Sequence, residues 1–221
     1  MSLCDVPAKP THAALLSAHS ILERACDAAE AFVSAFQTVR KARKAKGTAT
    51  DHEQDLMRAA LIFAAAGLDS LVKQLVRDTL QTVIAKDKGA HAQFTDFVHT
   101  RLRRTDGLDL RFLADAIAAD KPTRYLQQQL VSELTGSSLQ SKDQLLRVAA
   151  YFAIPANELS NDLTGLQQIF HVRNQIAHEM DILLGQKNRG RRQRKADEMK
   201  EYASVVLSTA RAFYVAVEKR L

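Results

Sequence analysis

An all-α helical bundle is the fold class this 221-residue chain predicts, on three observations. Apolar residues recur at steps of three and four over long stretches. The glycines fall mostly between those stretches, at Gly47, Gly89, Gly107, Gly136, Gly185 and Gly190. No alternating β-branched run bounded by turn residues stands out, and Asp106-Gly107 reads as a turn between helices.

A first helix is predicted over about 11–45, with Leu15, Leu22, Ala25, Ala29, Val33 and Phe36 along one stripe. A second covers about 51–86, opened by Asp51 as N-cap and carrying Leu61, Leu68, Val72, Leu75 and Val83. Inside it lies Ala64-Ala65-Ala66-Gly67. A mid-helix glycine costs about 1 kcal/mol against alanine, so this one marks a close helix crossing. Shorter helices follow over about 90–104, 109–119, 123–135 and 141–153, the third beginning just after Pro122 and the last capped by Ser141. Helices over about 159–182 and 193–220 complete the chain. The expected architecture is one domain, 1–221, in which long antiparallel helices frame the short ones. Residues 1–10 are expected to be flexible and 185–193 to form a basic loop.

With 46% hydrophobic and 25% charged residues, the composition excludes a disordered or collagen-like chain. No apolar run reaches the roughly 18 residues of a membrane-spanning helix. The first ten residues lack the apolar core of a signal peptide. Both point to a cytoplasmic protein with no membrane partner. Cys4 and Cys26 are too few and too scattered for a disulfide framework or a thiolate metal cage.

The helix around 170–180 breaks its own pattern. On a helical wheel Val172, Ile176, Ile169, Met180, Ala177 and Phe170 form one apolar arc, while His171, Asn174 and His178 lie opposite. Arg173 falls inside the apolar arc. A charge there must be paired, or the arc must face a polar cleft or a partner. One reading makes Arg173 a scaffold cation pinned to Asp69, which sits within the apolar stripe of the second helix. The other makes it a phosphate-binding cation that works with His178. The two Cβ directions diverge by about 140° on an ideal helix, so two facing copies would converge them better than one.

Arg173-Asn174-Gln175-Ile176-Ala177-His178 resembles the Arg-x4-His motif of the HEPN superfamily, with Asn174 as the polar residue that follows the Arg. Leu68-Asp69-Ser70-Leu71 similarly resembles the second helix of HEPN families associated with RNA cleavage and bacterial defence. The resemblance implies a helical bundle that dimerises with its motif helices face to face. Many members are metal-independent endoribonucleases, often toxins or anti-phage effectors. It thereby implies Arg173, Asn174 and His178 as catalytic residues, Asp69 in support, RNA as substrate, and an antitoxin or other defence-system partner. Toxins paired with a nucleotidyltransferase extend the motif with a Tyr two residues after the His; here that residue is Met180.

These residue types suit RNA cleavage without metal or cofactor. The substrate carries its own nucleophile, the 2′-OH. Histidine gives or takes a proton near neutral pH, and arginine offers two parallel donors to phosphate oxygens. Asn174 shares the His178 face and is placed to orient the imidazole or donate to phosphate. His171 reads as an incidental polar-face residue. His171 and His178 lie about 10.5 Å apart along the axis, too far for a shared zinc ion.

Lys187, Arg189, Arg191, Arg192, Arg194 and Lys195 place six cations in nine residues with no acid; the other 212 residues carry 25 cations and 25 acids. The net charge of +6 is therefore local. Its place just after the motif predicts that these six side chains hold RNA backbone. The runs at 40–46 and 101–104 read instead as helix C-termini. No aromatics interleave with the cations, so base stacking is not indicated. The leading expectation is an endoribonuclease acting through 2′-OH attack at a homodimer interface. The alternative is a non-catalytic HEPN-like module that dimerises and binds RNA or a partner. A regulator that binds DNA through the basic segments ranks third.

Overall fold

The computed structural model describes residues 3–104, 107–139, 141–183, 185, 187 and 189–221. A 3-10 turn at Ala13–Leu15 leads into α1 (Leu16–Ala42), α2 (Asp51–Lys86) and α3 (Lys88–Leu102). A short ribbon, β1 (Arg103–Arg104) and β2 (Gly107–Leu108), separates these from α4 (Leu110–Ala118) and α5 (Pro122–Thr135). Then come α6 (Lys142–Tyr151), α7 (Ala156–Leu159), α8 (Leu163–Glu179) and α9 (Ala196–Glu218). The all-α expectation holds.

Helix α2 is the axis of the bundle, packed along α1 on one side and α9 on the other, with α8 also against it. It begins at a capping box: the Thr50 hydroxyl accepts from the Glu53 amide, and Glu53 Oε2 accepts from the Thr50 amide at 2.8 Å. The cap is thus Thr50 and not Asp51, because Thr50 has the extended backbone that turns its hydroxyl toward the free N–H groups. A Cβ on Gly67 would overlap that of Ala25, which confirms the close crossing with α1. Contrary to the sequence reading, α2 does contain an 18-residue window apolar enough to cross a membrane by length and composition. Half of that window is buried inside the fold, as the central helix of a bundle requires.

Three other expectations change. The segment before α1 is docked, not free: Leu3 and Cys4 are buried, the Leu3 amide donates to Glu30 at 2.9 Å, and Ser204 donates to the Leu3 carbonyl. Met1 and Ser2 lie outside the described residues. This docking brings the Cys4 and Cys26 thiols into hydrogen-bonding contact although 21 residues separate them. The third helix stops at Leu102, because Arg103 and Arg104 give their backbone groups to the antiparallel ribbon; Asp106 of the expected turn lies outside the described residues. Finally, the helix expected over 159–182 is shorter, Leu163–Glu179, with a separate turn of helix, Ala156–Leu159, before it. Asp162 accepts from the Gly165 amide at 2.8 Å and starts α8 afresh, so the motif has a helix of its own.

Candidate active site

The inward face of α8 carries Ile169, Phe170, Val172 and Ile176, all buried as the wheel predicts, and Arg173 is buried with them at 7% exposure. Ala177 and Met180, placed on the same arc by the wheel, are exposed. Helix α8 ends at Glu179 and Met180 turns left-handed at φ 51°, so it no longer follows helical periodicity.

The Arg173 guanidinium has one acceptor among the described residues: Nη1 donates to Asn174 Oδ1 at 2.9 Å. Its Nε is buried and unpartnered. Among the described residues no carboxylate stands within ion-pair distance of it. Asp69, the expected counter-ion, is engaged elsewhere. Its Oδ2 accepts from Lys73 Nζ at 2.9 Å and its Oδ1 from the Leu139 amide at 2.6 Å. Burial pulls the Arg173 pKa below its ordinary value, and the Asp69 charge opposes that only through space. Asn174 therefore supports the guanidinium, while His178 has no hydrogen-bond partner among the described residues. His178 stands exposed in the last turn of α8. His171 is exposed too, with its Nε2 2.9 Å from the Gln175 amide nitrogen. The structure thus joins Arg173 to Asn174 and leaves His178 on the outer face, as the 140° divergence on an ideal helix requires.

Beyond the motif the chain folds back. Asp181 is fully buried and again left-handed, at φ 57°. Its carboxylate accepts from Arg58 Nε at 2.9 Å and from both Arg194 Nε and Nη2, at 3.1 and 2.7 Å. Arg194 Nη2 also donates to Gln175 at 2.8 Å. The Asp181 and Arg192 backbones pair, the Arg192 amide donating at 2.8 Å, while Arg192 Nη1 donates to the Ile182 carbonyl and faces Glu179 at 3.2 Å. Arg191 meets Asp55 through two contacts of 2.7 and 2.9 Å. Burial alone would raise the Asp181 pKa, but the hydrogen bonds from Arg194 and Arg58 outweigh it and hold the carboxyl below its ordinary value.

The basic segment is consequently not six free cations. Arg191, Arg192 and Arg194 face carboxylates of α2 and of the α8 end, and only Lys187, Arg189 and Lys195 stand exposed without a partner among the described residues. The periodicity missed Arg58 and Asp181 as members of this assembly. The available signal was the same as for Arg173: Arg58 is a cation inside an apolar stripe, between Met57 and Leu61. Among the described residues no three His, Cys, Asp or Glu side chains gather where they could hold a metal ion.

A protein-family model described as RiboL-PSP-HEPN matches residues 15–219. No curated protein and no solved structure matches the chain.

Proposed function

The chain belongs to the RiboL-PSP-HEPN family, and from that premise we propose that it is a metal-independent endoribonuclease acting as a homodimer, in a toxin or anti-phage role. The observation that carries this reading is Arg173, a buried guanidinium with an idle Nε and no carboxylate partner among the described residues. A buried cation left short of anions costs several kcal/mol in a purely structural role. A phosphate oxygen supplies what is missing, and arginine is built to grip it with parallel donors.

In the reaction the ribose 2′-oxygen attacks phosphorus and loses its proton to a base. The 5′-oxygen departs and takes a proton from an acid, leaving a 2′,3′-cyclic phosphate and a 5′-hydroxyl. Two copies bring two His178 imidazoles for the proton transfers and two Arg173 guanidiniums for the negative charge that builds on the phosphoryl oxygens. Asn174 keeps the guanidinium aimed, and Lys187, Arg189 and Lys195 attract the RNA backbone.

The test is cleavage of total RNA by the purified protein in EDTA. Cleavage that persists in EDTA, yields cyclic-phosphate ends and disappears in both Arg173→Ala and His178→Ala is the expected result. Equal activity in either variant overturns the reading. For the dimer, light scattering of the purified protein is expected to give the mass of two copies; a monomer that still cleaves RNA removes the homodimer from the account.

A further inference from the structure

The imidazole of His178 makes no hydrogen bond to any described residue, so its place depends on the backbone that bears it. That backbone ends unusually. Met180 and Asp181 are consecutive left-handed residues and neither is glycine, a conformation that L side chains resist. Both amides donate to the Gln175 carbonyl, the Asp181 amide at 3.0 Å. This closes the last helical turn around His178. What holds the turn is the buried Asp181 carboxylate between Arg58 of α2 and Arg194 of the returning chain. Arg194 reaches in addition to the Gln175 side chain, three residues before His178. His178 is thus bracketed by Gln175 and Asp181, and one guanidinium ties both brackets to the core.

We infer that Asp181, clamped by Arg58 and Arg194, is a positioning residue for His178, and that the paired arginines of the basic segment serve the geometry of the proton-transfer group more than the capture of RNA. The inference rests on the endoribonuclease reading of His178. The clamp lies outside the Arg-x4-His motif, and it accounts for Arg194, one of the three cations of the segment that face carboxylates. Arg58 comes from a helix 123 residues upstream of Asp181, which fixes the motif helix to the axis of the bundle rather than to its own neighbours.

Arg194→Ala isolates the effect, because Asp181 keeps Arg58 and stays paired. The expected outcome is a kcat at least tenfold lower with KM within threefold, unchanged far-ultraviolet circular dichroism, and displaced or broadened His178 imidazole resonances. Arg194→Lys keeps the charge but loses the fork, so it is expected to show the same losses, and it reads the same quantities if the alanine variant does not fold. A raised KM with unchanged kcat would assign Arg194 to RNA binding and overturn the proposal. So would His178 resonances that superimpose on those of the unaltered protein. If the unaltered protein cleaves no RNA, the ribonuclease reading fails by itself, and the imidazole spectrum still decides whether the clamp positions His178.

Discussion

Arg58 and Arg173 are two arginines buried in one bundle, and they are provided for very differently. Arg58, 2% exposed, gives its Nε to Asp181, one Nη to Asp55 and the other to the Arg192 carbonyl. Arg173, 7% exposed, has the Asn174 amide oxygen and an idle Nε. Both sit on apolar stripes and look alike in the sequence. Burial by itself does not tell scaffold from site. The difference lies in how completely the charge is answered among the described residues: Arg58 is saturated, whereas Arg173 keeps an idle Nε and has no carboxylate partner there.

That contrast can be attacked from the saturated side first. Asp181→Ala removes the buried carboxylate that Arg58 Nε and Arg194 share and is expected to cost about 3–5 kcal/mol in urea unfolding, the range for removing one partner of a buried pair. A loss under 1 kcal/mol would mean that the clamp does not hold the fold. The same carboxylate sets an acid dependence. Its folded pKa lies below the ordinary value, since the Arg194 and Arg58 hydrogen bonds overcome burial. Its contribution is therefore complete above the unfolded carboxyl's value of about 4 and drains away as pH falls through the folded one. Urea midpoints followed downward from neutral pH should show that acid limb in the unaltered protein and a flatter one in Asp181→Asn. A smaller effect is expected at Asp69, whose oxygens serve Lys73 and the Leu139 amide. Asp69→Asn should cost about 1 kcal/mol, the worth of an ordinary hydrogen bond. A loss of about 3–5 kcal/mol would reveal a buried pair with Arg173 after all.

Much of the fold was legible in the sequence, because helical periodicity and caps are local signals. Residues 51–86 were predicted for α2 and are observed, and Pro122 and Ser141 start α5 and cap α6 as expected. Arg173 announced itself by interrupting an apolar arc. What stayed hidden depends on contacts between distant segments. The run 187–195 looked like an unanswered positive charge because the carboxylates that answer it belong to Asp55, Glu179 and Asp181. Cys4 and Cys26 looked unrelated until the N-terminal segment docked onto α1. The exposure of Met180 follows from a left-handed helix end that no periodicity encodes.

The claim at the centre is that Arg173 waits for an anion and does not support the fold. Arg173→Met keeps much of the side-chain volume and removes the charge, so one variant separates the two roles. The account predicts a melting temperature at or above that of the unaltered protein, since replacing a poorly paired buried ion with an apolar chain is neutral or stabilising. It also predicts RNA cleavage in EDTA slowed by a factor on the order of a hundred or more, as for loss of a donor to transition-state charge. A variant that melts several degrees lower, or that cleaves RNA at the unaltered rate, would contradict it.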